Sequence, residues 1–596
     1  MKRTLIALIA GALAAGAGAG QALAEAPPLP TSPTQTAAQL AGNHQSADAS
    51  ATSTQIKPEN TNVSVRVLSP GSSGSVSQSN TSAAAALAAN ANQLGQSATQ
   101  NAGGGNPGGH GTPVQSAGQI AASSQDADAW ADSTQVKPKN TNVSVRVLSP
   151  GDDGDVTQEN SSAALGLALN KNATSQAATQ DAGGGSPVQT AAQAAKNDQD
   201  ANAYAKSKQI EPENTNVNVR VLSDGKNGSV EQRNTSKAIG IGANLNRTEQ
   251  TTTQSGGGYG KPIQDSGQVA YSEQDADASA DSVQVKPQNE NVSVRVLSPG
   301  DDGDVSQENS SFALGIASNK NTTDQTVTQE QGDGYGDVAV QAAGQKASND
   351  QDAWASAESV QIKPENANLS VRTLGHERKP DVKDGHGDAV SQENSSKALA
   401  LSLNVNDLVQ TADQSRSGDR ARMSDSEKPD YDKPDSERPD QGLPKLVEEG
   451  EGVTQLNKSF AAALSLNINK TTQTATQSQE SKGKVAVQAA GQLAGNEQAA
   501  GSKADSFQYG ARNDNGRLSG PDLCKHDRCK LDKPDDHCKD SGCKPEKPEQ
   551  PDCKHDRCKP APCRSWPSDP WGPRECKPDH ERPWEHGSRQ VMPDAS

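Results

Sequence analysis

Along most of the chain, apolar and polar positions alternate with a period of two. The runs Val63-Ser64-Val65-Arg66-Val67, 143–147, 217–221, 292–296 and 369–373 place an aliphatic residue at nearly every second position. Longer runs do the same. Ile239, Ile241, Ala243 and Leu245 alternate with Gly240, Gly242, Asn244 and Asn246. Leu165, Leu167 and Leu169 form one sister copy, and Leu399, Leu401, Leu403 and Val405 another. Period-two alternation predicts half-buried strands, because a helix face recurs every 3.6 residues instead. Ala83-Ala84-Ala85-Ala86 has high helix propensity, but its sister copies alternate, so strand is predicted there too. In each case one face is aliphatic and the other is small or amide-bearing.

These strands sit in internal repeats, and repeats decide the architecture first. The landmark Q-[IV]-x-P-x-N begins at Gln55, Gln135, Gln209, Gln284 and Gln361, at spacings of 80, 74, 75 and 77 residues. A first unit, Q-x-N-x9-N-x-N-x3-Q-x3-Q, occurs at 78–100, 158–180, 232–254, 307–329, 392–414 and 455–477. A second, Q-x3-Q-x5-Q-x9-Q, occurs at 35–55, 115–135, 189–209, 264–284, 341–361 and 488–508. Neither unit contains an insertion or deletion, while the connecting segments vary in length. Stacked strands require this, since a one-residue slip turns every later side chain to the other face. Identical amides on strands about 4.7–4.8 Å apart form hydrogen-bonded ladders. The predicted ladder residues are Asn80, Asn160, Asn234 and Asn309; Asn90, Asn170, Asn244 and Asn319; Asn92, Asn172, Asn246 and Asn321; Gln176, Gln250 and Gln325; and Gln180, Gln254 and Gln329. Asn80, Asn160, Asn234, Asn309 and Asn394 also read as Asn-x-Ser/Thr sequons, but ladder spacing accounts for them without glycosylation. Pro70-Gly71, Pro150-Gly151, Asp224-Gly225 and Pro299-Gly300 read as turns, as do the Gly runs at 103–105, 183–185 and 256–258. The predicted fold class is all-β: a repetitive β-solenoid or stacked-strand array with Asn/Gln ladders, thin Ala/Val/Leu layers, a disordered linker and a Cys/Pro-rich tail.

Composition narrows this further. Of 596 residues only 31% are hydrophobic and 2% aromatic, and the net charge is −18. Several conventional cores cannot be filled from such a chain. A large α/β enzyme, a membrane transporter and a basic nucleic-acid-binding domain are excluded on these grounds. Residues 1–24 read as a secretory signal peptide. Lys2 and Arg3 precede a short apolar core, and Ala22-Leu23-Ala24 is a cleavage-type sequence. No later apolar run is long enough for a transmembrane helix. The predicted location is therefore secreted, extracellular or at the cell surface. Residues 25–414 are the repeat array, about five modules of 75–80 residues. Residues 415–450, charged and Pro-rich, are predicted to be a disordered linker. Residues 451–510 are a final partial repeat and 511–596 a Cys/Pro/Trp-containing tail.

Candidate chemistry is sparse. The acidic turns Asp152, Asp153, Asp155 and Asp301, Asp302, Asp304 offer oxygen ligands to Ca²⁺. Other copies carry Ser72, Ser73 and Ser75, or Lys226, Asn227 and Ser229, which favours plain solvated turns. No other cofactor is expected. Arg66, Arg146, Arg220, Arg295 and Arg372 share one repeat position. Stacked, they form a positive column that either binds an anionic glycan or phosphate, or pairs with nearby carboxylates to keep an outer face soluble. The cysteines Cys524, Cys529, Cys538, Cys543, Cys553, Cys558, Cys563 and Cys576 all lie in the tail. C-x4-C spacing beside His526 and His555 permits zinc, but an even count in an exported chain favours disulfides. Trp566, Trp571 and Trp584, flanked by Pro, are candidate adhesive groups. No nucleophile elbow, zinc-protease motif or phosphate loop is present, so the chain reads as a non-enzyme.

Fixed-interval Gln and Asn positions, Gly-rich turns and the leader together resemble the curlin-like and other secreted amyloid-like repeat proteins, over roughly residues 35–508. The resemblance implies a structural protein of an extracellular fibre or surface matrix, with self-association or matrix components as partners. The 75–80-residue period differs from the short curlin strand-turn-strand repeat. Two alternatives remain at this point. One is an extracellular adhesin that binds glycan or protein through the repeat surface or tail. The other is a largely disordered matrix or spacer protein.

Overall fold

The computed structural model describes residues 34–102, 112–183, 186–256, 261–332, 338–373, 389–416, 453–479 and 485–519. The chain divides into two units, Met1–Leu523 and Cys524–Ser596, and every described residue lies in the first. The predicted leader, most of the linker and all eight cysteines lie outside the described residues, as do Trp566, Trp571 and Trp584.

Described regular structure is all strand. The chain winds in coils of three. Coil 1 is β1 (Thr34–Ile56), β2 (Glu59–Val67) and β3 (Val76–Ala102). Coil 2 is β4 (Val114–Val136), β5 (Lys139–Val147) and β6 (Val156–Ala182). Coil 3 is β7 (Val188–Ile210), β8 (Glu213–Val221) and β9 (Val230–Gly256). Coil 4 is β10 (Ile263–Val285), β11 (Gln288–Val296) and β12 (Val305–Gln331). Coil 5 is β13 (Val338–Ile362), β14 (Glu365–Thr373) and β15 (Val390–Arg416). β16 (Val453–Gln479), β17 (Val485–Tyr509) and β18 (Arg512–Ser519) complete a sixth. First strands of each coil form sheet A, second strands sheet B and third strands sheet C, each six-stranded, parallel and in register.

The sixth coil is permuted. β16 follows β15 within sheet C, and β17 and β18 then add to sheets A and B. Val453 pairs with Val390 and Gln479 with Arg416. The connection across 417–452 therefore joins points about 85 Å apart, at about 3.3 Å per strand residue. Its 36 residues reach this span, since an extended chain covers about 3.3 Å or more per residue. The coil also extends past the boundary expected at 510. Asn513 and Asn515 in β18 continue the columns of Asn366 and Asn368. Here the landmark has degenerated to Gln508-Tyr509-Gly510-Ala511-Arg512-Asn513, with Ala in place of Pro.

Between sheets A and B the backbone turns through the left-handed region at Lys57, Lys137, Glu211, Lys286 and Lys363, with φ from 49° to 53°. Inter-coil bonds continue through this corner, as in Lys137 N–H to the Ile210 carbonyl at 2.7 Å. In the sixth coil Gly510 occupies the position, where positive φ carries no Cβ penalty.

The core sits between sheets A and C, and its composition is the main departure from expectation. Alternation places the small and amide-bearing face inward. The Ala127, Ala129 and Ala131 positions of sheet A pack on Ala84, Ala86 and Ala88 of sheet C, and this layer repeats through the coils. A valine column, Val156, Val230, Val305 and Val390, closes one side. Most of the leucines and isoleucines face out: Leu87 is 61% exposed and Leu464 59%. In sheet B the valines also face out, while Asn140, Asn142, Ser144 and Arg146 are buried. The predicted Ala layer is therefore internal, while the valines divide between the internal column begun at Val156 and the outer face of sheet B. The leucine layer is mostly external, with Leu408 among the few large aliphatic side chains buried.

Close approach of the sheets explains this. A Cβ on Gly166, Gly240 or Gly315 would strike the carbonyl of Tyr204, Ser279 or Ser356 in the facing sheet. Such spacing leaves no room for leucine. Gly240→Ala is expected to force this contact apart and cost about 1–3 kcal/mol, the usual scale of core overpacking. A lowered urea midpoint with an unchanged slope is the readout.

Candidate functional site

Buried amides dominate the interior. Gln115, Gln119, Gln125 and Gln135 are each about 1% exposed or less. Most amides between sheets A and C bond in two directions, whereas Asn142, Asn216 and Asn291 of sheet B bond along the stack. Gln176 Nε2 donates to Gln96 Oε1 at 2.8 Å along the stack and to the Ala194 carbonyl at 3.1 Å in the facing sheet. Its own oxygen accepts from Gln250 at 2.8 Å. Gln119 makes the reciprocal crossing from sheet A, to the Ala177 carbonyl at 3.0 Å. The ladders therefore bind coil to coil and sheet to sheet at once.

Each predicted ladder residue lies on such a column. Asn80, Asn160, Asn234 and Asn309 are linked at 3.0, 3.0 and 2.9 Å, and the column continues to Asn394 and Asn457. Asn90, Asn170, Asn244 and Asn319 are linked at 3.0 Å throughout. Asn92, Asn172, Asn246 and Asn321 are linked at 2.7 to 2.9 Å. Gln250–Gln325 and the Gln180–Gln254–Gln329 series are linked at 2.7 or 2.8 Å.

Ladder direction depends on residue type. Gln amides donate to the preceding coil, as Gln189 does to Gln115. Asn amides donate to the following coil, as Asn60 does to Asn140. At the coil-1 end the Asn carbonyls therefore await a donor and the Gln amides an acceptor. At the coil-6 end the Gln carbonyls and the Asn amides are in the opposite condition. Among the described residues neither end is covered by a further strand.

One column was not anticipated. Ser133, Ser162, Ser207, Ser236, Ser282 and Ser311 zigzag between sheets A and C, with hydroxyls 2.8 to 3.0 Å apart. Its signal was present: one serine always stands two residues before the landmark Gln, the other four after the first Gln of the amide unit.

The arginine column faces inward, not outward. Arg146, Arg220 and Arg295 are each 1% exposed. Asp153 bridges Arg146 at 2.6 Å and Arg220 at 2.8 Å. Asp302 bridges Arg295 at 2.7 Å and Arg372 at 3.0 Å. Between them Asn227 accepts from Arg220 and donates to Asp302, both at 2.7 Å. Burial acts to raise the Asp302 carboxyl, but the guanidiniums of Arg295 and Arg372 and the Ser370 hydroxyl outweigh it and hold it well below the usual carboxylate range.

The other calcium candidates are engaged as well. Asp152, Asp155 and Asp304 accept from the backbone N–H of Lys226, Ser229 and Ala389 in the next coil, and Asp301 pairs with Lys226. Among the described residues no three His, Cys, Asp or Glu side chains are grouped to hold a metal ion.

The outer face of sheet A is acidic. Asp126, Asp200, Asp275 and Asp352 form one register column. Asp198, Glu273 and Asp350 form the next. Partial burial pushes the Asp200 carboxyl up to about 6, with Asp126, Asp128 and Asp277 adding to the effect. Burial does the same for Asp275, again to about 6, with Asp277, Asp200 and Asp352 adding. Half-exposed aromatics flank the column, and Trp130 stacks on Tyr204 at 5.1 Å.

No protein-family model, curated protein or solved structure matches the chain.

Two expectations follow. Replacing Asn244 and Asn246 by Leu deprives Asn170, Asn172, Asn319 and Asn321 of the ladder partner on that side. The cost is about 1–3 kcal/mol per orphaned buried group, read as a large fall in the urea midpoint. The second concerns pH. With pKa values raised to about 6, Asp200 and Asp275 hold protons in the folded chain that the unfolded chain, near 3.8, has released. Stability therefore falls as pH rises from about 4 to about 6. The depressed Asp302 acts oppositely, and its contribution is lost in strong acid. Thermal melts followed by circular dichroism should show a higher midpoint at pH 5 than at pH 7. Asp200→Asn with Asp275→Asn should flatten that difference.

Proposed function

We propose that this chain is a secreted structural repeat protein that forms, or contributes to, an extracellular fibre or surface matrix. The observation that carries this reading is the complementarity of the two ends of the coil stack. Each end presents three parallel strand edges, and an open edge is a template for another chain. The ladder polarity makes the match specific. The Gln35 amide at one end suits the Gln488 carbonyl at the other, and the Asn467 amide suits the Asn90 carbonyl. Sheets A, B and C of a second copy then continue those of the first in the same direction.

Other features agree with this use. The leader-like residues 1–24 fit export, and the eight tail cysteines fit cross-linking or attachment in an oxidising environment. The net charge of −18 slows uncontrolled stacking. The Gln and Asn spacing of the sequence resembles that of secreted amyloid-like repeat proteins. Among the described residues no helix is long and apolar enough to cross a membrane. No catalytic role is proposed.

Far-UV circular dichroism and negative-stain microscopy of the mature chain, residues 25–596, test the reading when run fresh and after incubation. The expected result is a β spectrum with filaments that lengthen with time and concentration. Discrete particles that never lengthen, or a persistent coil spectrum, would overturn it.

A further inference from the structure

The outer face of sheet C holds an apolar field that spans all six coils. Leu87, Leu167, Ile241, Ile316, Leu401 and Leu464 stand in one register row. The outward rows on either side, beginning at Ala85 and Ala89, hold only Ala, Leu, Ile and Ser318. Charge begins one row further out. Lys237 and Lys397 lie in the row of Ala83, and Lys171 and Lys320 in the row of Ala91.

We propose that this face is an interface for a second copy of the chain, docked sheet C to sheet C. Three observations support that occupant. The first is area. Five outward rows about 6.6 Å apart on six strands about 4.8 Å apart cover about 700 Å² per copy. Pairing buries about 1,400 Å² in all, which is the size of a specific protein–protein interface.

The second is lysine placement. No coil carries lysine in both flanking rows. A two-fold axis along the stack, through the central row, exchanges those rows. It sets Lys237 opposite Leu245, Lys397 opposite Val405, Lys171 opposite Ala163 and Lys320 opposite Phe312. Each lysine stem then lies on an apolar side chain, with its ammonium at the solvent rim.

The third is global charge. The Asp200 and Asp275 column lies on sheet A, whose inner face packs against sheet C. Docking through sheet C keeps both acidic faces outermost. A net charge of −18 also opposes attachment of this face to an anionic lipid surface.

This inference is independent of the end-to-end reading, and mass per unit length separates the two. End-to-end growth leaves that quantity unchanged, whereas pairing through sheet C doubles it. The experiment is scanning transmission microscopy of the mature chain with sedimentation at several concentrations. The wild type is compared with the variant Leu167→Thr, Ile241→Thr, Ile316→Thr and Leu401→Thr. These side chains point outward and lie outside the amide core, so the β spectrum should persist, with a melting midpoint lowered only by the apolar contact they lose along the stack. The expected result is two chains per cross-section in the wild type and one in the variant, with self-association at least about tenfold weaker. Should the fourfold variant lose its β spectrum, Ile316→Lys alone gives the same reading. One chain per cross-section in the wild type overturns the proposal, as does pairing that survives the substitutions. Flotation with phosphatidylglycerol vesicles by unpaired wild type, but not by the variant, would assign the face to lipid and also overturn it.

Discussion

The rest of the structure depends on the buried amide that bonds in two directions. A carboxamide has two N–H donors and an oxygen with two lone pairs. Placed on a parallel stack, one N–H meets the neighbouring coil and the oxygen receives the next. The second N–H remains, and in this core it reaches the backbone of the opposite sheet, as at Gln176 and Gln119. An unsatisfied buried amide is costly, so each sheet is held at the distance where that bond forms. Sheet spacing, the Ala/Gly/Ser lining and the outward leucines all follow from this.

Such a core has an energetic consequence. Burying a leucine side chain is worth about 1.5–3 kcal/mol, and this fold leaves much of that unused in sheet C. Part is recovered because register neighbours such as Leu167, Ile241 and Ile316 shield one another along the stack. The remainder is surface free energy available to association. The same stacking that protects the interior amides leaves them half-satisfied at coils 1 and 6. The structure is thus saturated inside and unsaturated at its edges and on one face.

The arginines illustrate how neutralisation is shared between coils. A lone guanidinium buried at 1% exposure would be prohibitive. Here Asp153 and Asp302 each serve two arginines, and Asn227 passes the network across the coil without a carboxylate. Copies that looked inconsistent as calcium turns are therefore consistent as alternating members of a charge network. In the Asp200 and Asp275 column on the outer face of sheet A, like charges in register raise one another's proton affinity.

Strand type, coil count and ladder membership were legible in the sequence, because parallel in-register stacking turns spacing along the chain directly into contact between copies. Asn80 and Asn160 share a column for no reason beyond their identical place in the repeat. The serine zigzag was legible in the same way. The permuted sixth coil was less so, since its landmark had lost its proline. What the sequence could not determine was which face of each strand is buried. Period-two alternation is symmetric between inside and outside, and apolar surface alone favours the leucine face. The tertiary structure decided the other way, because amides that bond both along the stack and across it draw the two sheets too close for leucine or isoleucine side chains through most of the core.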